Sequence, residues 1–418
     1  MDAELRKRPH VVILGGGFAG LKAASALRTA LVDVTLLDRT NHHVFQPLLY
    51  QVATAVLAPT DITSPIRWLL RKQRNATVLM SEVRDIDASR RVVVDTDGVE
   101  TAYDFLIVAT GARHSYFGHG DWEKHAPGLK TIEDAREIRH RFLLAFEEAE
   151  KCDDPAVRNA WLTFVIVGGG PTGVELAGML PGIAREAMRR DFRRIDTANA
   201  RVILLEAGPR LLTSFTEELS AVTRRDLEEL GVTVRTGSLV TAIDSESICV
   251  GDERISTRTV FWAAGNAASP LLRTLGVALD KQGRALVEKD LSVPGRPEVF
   301  VVGDAAAVKR APEQLVPGVA AAAMQEGICA ARNIVRTLRG EPRVDFVYRN
   351  KGDLATIGRH KAIADFGWLK VTGRLAWWFW LFVHILYLAG FRNRLSVLLE
   401  WAYSYFAYRR GARLITKD

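Results

Sequence analysis

Short, fully apolar runs alternate along the chain with longer stretches in which apolar residues recur every third or fourth position. HVVIL (His10–Leu14), VDVTLLD ending at Asp38, LTFVIV (Leu162–Val167) and RVILLE (Arg201–Glu206) read as buried strands. LKAASALRTA, VELAGMLPGIA and TIEDAREIRHRFLLAFEEAE read as helices. Strands that alternate with helices predict an α/β fold with parallel sheets under helical cover.

Two of these strand–helix pairs enclose glycine-rich turns. Gly15-Gly16-Gly17-Phe18-Ala19-Gly20 follows the first strand. Gly15 allows the tight turn, Gly17 lets a pyrophosphate approach the helix N-terminus, and Gly20 lets helix and strand pack closely. Asp38 ends the next strand, where a carboxylate accepts ribose hydroxyls. The order then recurs with Gly168-Gly169-Gly170-Pro171-Thr172-Gly173 and an acid, Glu206. The basic stretch REAMRRDFRRIDTAN between them reads as an extended helix or an excursion. Ala207 and Gly208 flank Glu206 and no arginine comes before Arg210, which favours NADH over NADPH. Two cradles predict two dinucleotides, a resident FAD and a visiting nicotinamide, because side chains do not themselves carry hydride. Tyr103–Gly111 (YDFLIVATG) and Arg258–Gly265 (RTVFWAAG) read as strands returning to a nucleotide site. Val299–Asp304 (VFVVGD) places Asp304 at a strand end, before a helix-like AAAVK, suited to the ribityl and phosphate region of a flavin.

Composition narrows the class. With 48% hydrophobic and 25% charged residues, a disordered, collagen-like or polytopic membrane chain is excluded. The 418 residues suffice for two or three domains at about 150 residues each. Cys152, Cys249 and Cys329 are far apart, so neither a disulfide framework nor a CxxC pair is expected, and the default compartment is a reduced cytosol. No HxH, HExxH or clustered Cys/His spacing predicts a metal, and no GxSxG elbow or Walker loop appears. The opening MDAELRKRPH has no apolar core, so no signal peptide is expected.

The net charge of +7 is concentrated at one end. From Gly367 onward there are eight bases (Lys370, Arg374, Arg392, Arg394, Arg409, Arg410, Arg413, Lys417) against Glu400 and Asp418, with five of the nine tryptophans and four of the eight tyrosines. That mixture points to an anionic membrane surface rather than nucleic acid. Leu375–Phe391 carries no formal charge. As a helix it would run about 26 Å, short of the roughly 30 Å hydrocarbon core, and His384 lies near its middle. Asn393–Arg410 places Leu395, Leu398, Leu399, Ala402, Tyr405 and Phe406 at amphipathic helical spacing, with Ser396, Glu400 and Ser404 on another face. An interfacial anchor, a core or dimer-forming helix pair, and a true span are the three readings of this segment.

The two fingerprints, the ATG segment and VFVVGDAAA resemble the two-dinucleotide-binding-domain flavoproteins. Within them, NHHVFQPLLYQVAT (Asn41–Thr54), GPTGVELAG around Glu175, PGVAAAAMQEG and KGDLATIG with its tail resemble the type II (non-proton-pumping) NADH:quinone oxidoreductases. The resemblance implies FAD-dependent oxidation of NADH with two-electron reduction of a membrane quinone. It implies that Gly15, Gly17, Gly20, Asp38, Thr110, Gly111 and Asp304 hold FAD, and that Gly168, Gly170, Gly173, Glu206 and Gly265 hold NADH. Glu175 would lie near nicotinamide and flavin, with Gln325 and Lys351 on the quinone side of the flavin ring. Where many members carry AQxAxQ, this chain reads Ala320-Ala321-Ala322-Ala323-Met324-Gln325, so only the second glutamine remains.

From the residues alone, Glu175 is equally a helix N-terminal acid, Lys351 a surface lysine, and Gln325 part of a tightly packed alanine helix. His42 and His43 read as structural or exposed. The expected domains are an FAD part at 1–130 and 269–344, a connection at 131–154, an NADH domain at 155–268, and a quinone-side, membrane-anchoring segment at 345–418. The expected location is the cytoplasmic face of the inner (cell) membrane, with pairing of two copies left open. Sulfide:quinone oxidoreductases share the frame but need redox cysteines near the flavin. A membrane-associated NADH-sensing flavoprotein without turnover is the non-enzymatic alternative.

Overall fold

The structure, a computed structural model, describes residues 8–189, 191–311, 314–407 and 414–415. Arg409, Arg410, Arg413, Lys417 and Asp418 of the basic tail, and residues 1–7, lie outside the described residues, as do the side chains of Tyr405 and Phe406. The chain forms two compact units. One comprises residues 1–43, 64–113 and 266–351, the other 44–63, 114–265 and 352–418.

In the first unit, His10–Leu14 lies inside a six-stranded sheet. The order is Ser292–Val293, Arg296–Val301, Phe105–Val108, His10–Leu14, Asp33–Asp38, Ala76–Met80, parallel throughout except for the two-residue edge strand. Val11, Val12 and Ile13 are fully buried, as a parallel strand covered on both faces requires. Leu14 pairs with Leu37 and Val108, and Val108 with Val301, so the first glycine turn, the ATG segment and Gly303-Asp304 all leave the same sheet edge. That carboxyl edge is where open α/β sheets bind nucleotides.

Helix Phe18–Ala26 packs on Ala320–Leu338, the expected alanine-rich helix. The contact is close enough that a Cβ on Gly327 would strike the Ala19 carbonyl. The helix-like AAAVK forms no helix. Gly303–Ala305 is a single 3-10 turn entered at φ +70°, and buried Ala306–Ala307 then pairs in parallel with Ala285–Leu286. The left-handed glycine redirects the chain, and the backbone bonds to a strand instead.

The second unit holds a four-stranded parallel sheet, ordered Val232–Arg235, Arg201–Leu205, Thr163–Val167, Thr259–Trp262. Helix Ile132–Lys151 opens with a capping box, Thr131 accepting the Asp134 N–H, and packs Phe142 and Phe146 on Phe164. Beyond helix Pro171–Gly182 the basic stretch is an excursion. One π turn (Ile183–Ala187) leads into irregular chain, with Glu150 accepting the N–H groups of Arg193, Arg194 and Ile195.

An antiparallel sheet (Asp353–Ile357, Lys361–Asp365, Lys370–Thr372) then leads into helices Gly373–Tyr387 and Phe391–Ala407. The first ends at Tyr387 rather than Phe391. Gly390 at φ +87° turns the chain, and the Arg394 guanidinium satisfies the end carbonyls of Leu386 and Leu388. Among the described residues no helix is long and apolar enough to cross a membrane.

Candidate cofactor and active sites

The two glycine turns are built alike, one in each unit. Gly15 and Gly168 take φ +100° and +112°, a region that favours glycine, and donate to the carbonyls of Leu37 and Leu205. A Cβ on Gly20 would strike the Gly15 carbonyl, and one on Gly173 the Gly168 carbonyl. Gly17 and Gly170 face open space at the N-termini of their helices, where backbone N–H groups and the helix dipole favour a phosphate. The acids complete the likeness. Asp38 Oδ2 accepts the Gly16 N–H at 2.6 Å while Oδ1 accepts the Thr40 N–H and hydroxyl. Glu206 Oε2 accepts the Gly169 N–H and Oε1 the Gly208 N–H, both at 2.6 Å. Each carboxylate is thus fixed beside its turn with acceptor capacity to spare for a ribose.

Other residues of the first unit suit a bound group. Thr110 Oγ1 is buried without a hydrogen-bond partner among the described residues, beside Gly111 at φ +66°. Such an atom is costly unless a ligand satisfies it. Next to Asp304, the Gly303 N–H donates to Glu326 Oε2 at 2.5 Å. Glu326 was not expected from sequence. It is buried, and desolvation pushes its pKa up to about 7 against the Gly303 N–H. Its signal was available, since it lies four residues after buried Ala322 and four before buried Ala330. His43 donates from Nδ1 to the Gly16 carbonyl and meets Phe18 edge-on. Burial lowers its pKa to about 4, which makes it structural.

Gln325 and Lys351 belong to the first unit, and the structure brings them within one short stretch of backbone. Gln325 Oε1 accepts the Arg349 N–H, and Nε2 donates to the carbonyls of Arg349 and Ala321, all at 3.1 Å. Its amide therefore clamps the irregular segment that leads to exposed Lys351.

In the second unit Gly265, at φ +84°, follows strand Thr259–Trp262, with the Phe117 ring against it. Glu175 lies on the cradle helix and accepts the backbone N–H of Thr356. Desolvation outweighs that bond and raises its pKa to about 8, so the carboxyl is protonated at neutral pH. A dipole-stabilised helix N-terminal acid would be shifted the other way. Sequence reasoning did not find its surroundings. The Tyr50 hydroxyl meets Thr356 Oγ1 at 3.0 Å, the Gln51 amide donates to Tyr50, and the Trp401 indole donates to Gln51.

Two nucleotide cradles on parallel sheets define a pyridine-nucleotide oxidoreductase frame. Residues 9–327 match the family described as pyridine nucleotide-disulphide oxidoreductase, and residues 350–410 the NDH2 C-terminal domain. The type II NADH:quinone oxidoreductases Ndh and NdhA of Mycobacterium tuberculosis are 44% and 45% identical to this chain. The alignments cover 99% and 98% of it, and 92% and 90% of those proteins. NDH2 from Plasmodium falciparum, solved in complex with NADH, superposes with a TM-score of 0.86 over 99% of this chain and 100% of that one. At 22% identity this is a likeness of fold. The chain belongs to the pyridine nucleotide-disulphide oxidoreductases and, within them, to the type II NADH:quinone oxidoreductases. It is accordingly an enzyme that works with a flavin and NADH.

Proposed function

We infer that this chain oxidises NADH and reduces a membrane quinone by two electrons, without pumping protons. The observation that carries the reading is the second cradle, complete down to a Glu206 whose two oxygens are held by Gly169 and Gly208. The resident group on this reading is FAD, held by Gly15, Gly17, Gly20, Asp38, Thr110, Gly111 and Asp304; an FMN has no adenosine ribose for Asp38 to bind. When bound it supplies the electron-transfer chemistry that side chains lack. Gly168, Gly170, Gly173, Glu206 and Gly265 bind NADH, and Glu206 repels a 2′-phosphate. Glu175 holds a proton at its carboxyl at neutral pH, ready for the reacting centre. Lys351 offers positive charge to the negative charge developing on the quinol, and Gln325 holds the Arg349 backbone that places it. The proposed domain division follows the same roles: FAD at 1–130 and 269–344, NADH at 155–268.

The C-terminal helices supply the route to a lipid-soluble acceptor. Leu375, Trp378, Phe382 and Leu386 form one exposed apolar stripe, and Leu395, Leu398 and Leu399 another, while Trp380, Val397 and Trp401 are buried. An apolar stripe of this kind, with arginines at its ends, suits an interfacial anchor on the cytoplasmic face of the inner membrane. Pairing of two copies is the competing use of the same surface. The sulfide:quinone alternative is disfavoured by Cys329, whose thiol burial pushes up to about 11, far from a reactive thiolate. Steady-state NADH oxidation with a short-chain quinone tests the reading. Turnover with NADH but little with NADPH is expected, whereas binding without turnover indicates a sensor. Flotation with anionic vesicles, beside sedimentation without lipid, separates the anchor from the dimer.

A further inference from the structure

We propose that Trp401, Gln51 and Tyr50 are positioning residues, a polarised hydrogen-bond chain by which the seated C-terminal helix fixes Thr356 and, through it, the carboxyl of Glu175. The proposal rests on the reading of Glu175 as a group of the reaction.

The direction of the chain is set at its Trp401 end. An indole is a donor only, so the Trp401 Nε1–H requires Gln51 to present Oε1, which it does at 2.7 Å. That choice turns the Gln51 amide group toward Tyr50, whose oxygen accepts from Nε2 at 2.9 Å. The Tyr50 hydroxyl meets Thr356 Oγ1 at 3.0 Å, a contact in which we take Tyr50 as the donor. The backbone N–H of Thr356 in turn donates to Glu175. Gln51, Tyr50, Thr356 and Trp401 are all buried, so none of these bonds is readily replaced by bulk water. Without the indole donor the Gln51 amide is free to turn over. Tyr50 would then donate to Gln51 and release Thr356.

A cavity of about 50 Å³ adjoins the chain, lined by Tyr50, Gln51, Met179, His360, Trp380 and Trp401. It has room for water but not for a ring, and the buried Trp380 Nε1–H in its wall has no partner among the described residues. Titratable residues lie on most of the elements packed around the Glu175 helix. They are Tyr50 on Leu49–Ala53, then Asp353, Arg359, His360 and Lys361 from the C-terminal sheet, the last held by Asp226 and Glu229. Arg185, Arg201 and Arg235 lie on the π turn and the sheet strands, and Glu217, Glu218, Arg224, Arg225, Asp226, Glu228 and Glu229 on helix Glu217–Glu229, where Asp226 is buried. The shift of Glu175 itself arises from desolvation, opposed by the Thr356 N–H.

The test is an infrared titration of the flavin-loaded full chain, following the Glu175 carboxyl band, which is assigned by its loss in Glu175→Gln. In Trp401→Phe and Tyr50→Phe the band should titrate at higher pH by about half a unit, because a weakened Thr356 bond supports the charged form less. Val56→Ala, which widens the same cavity and keeps the Val56 backbone bond to the Gln51 carbonyl and every side-chain bond of the chain, should titrate as the parent does. Unmoved titration in both chain variants, or an equal move in Val56→Ala, overturns the proposal. The pH profile of NADH:quinone turnover in the same variants is a separate readout. A moved band with an unmoved profile keeps the positioning chain and removes Glu175 from the reaction.

Discussion

Gln325 holds the backbone of Arg349 on both sides, accepting its N–H and donating to its carbonyl, each at 3.1 Å. Ala321 lies one turn before Gln325 in this helix, and the Gln325 amide is engaged by the protein's own backbone.

Gln325→Leu should therefore act on the irregular segment before Lys351. Loss of the clamp leaves backbone groups unpaired, costing about 1–2 kcal/mol of local stability. The KM for quinone should rise several-fold while the KM for NADH stays within a factor of two. A matched loss with ferricyanide as acceptor would contradict this account, since that acceptor needs no quinone site.

Glu206→Arg should weaken NADH binding and relax discrimination against NADPH. The substitution removes the acceptor of the Gly169 and Gly208 N–H groups and adds a cation for a 2′-phosphate. Dissociation constants for both nucleotides check this, and an unchanged preference counts against the assignment.

Glu326 gives a pH-dependent stability with a defined sign. Its folded pKa of about 7 lies above the ordinary carboxylate value of 4.5. Between these values the unfolded chain releases the proton and the folded chain keeps it, so stability falls as pH rises through that window. Glu326→Gln removes the penalty and still accepts the Gly303 N–H through its amide oxygen. The variant's advantage in thermal unfolding should grow from about pH 4.5 to 7, reach up to about 3 kcal/mol, and then level off. A constant difference across pH would refute it.

What was legible in the sequence follows the range of the interactions. The cradles were readable because glycine spacing, strand and helix all fall within one βα unit, and the terminal acids Asp38 and Glu206 come on the next strand. Their grip on Gly16 and Gly169 was not, because it depends on where the two strands pair. The Tyr50–Thr356 and Gln51–Trp401 bonds join residues 306 and 350 positions apart, and no local periodicity encodes them. AAAVK misled because alanine favours helices locally, while Gly303 and a parallel strand partner decide the outcome. The tail showed its apolar content and amphipathic spacing in sequence, but not that Trp380, Val397 and Trp401 would be buried while Leu395, Leu398 and Leu399 stay exposed.

That division makes the tail testable without unfolding it. Leu375→Ser, Trp378→Ser and Phe382→Ser combined alter only exposed positions and should release the protein from anionic vesicles. They should slow reduction of a long-chain quinone more than that of a short-chain one. Deletion after Gly367 also removes buried Trp380, Val397 and Trp401, so it should lower thermal stability as well. Equal loss with both quinones in the triple variant would show that the stripe serves folding or pairing instead.

The most direct measurement is the visible spectrum of the purified full chain under anaerobic conditions, before and after one equivalent of NADH and then of a short-chain quinone. The account predicts an oxidised-flavin spectrum that NADH bleaches, NADPH bleaches far more slowly, and quinone restores. A protein that carries no flavin and takes none up, or a flavin that NADH leaves oxidised, would contradict it.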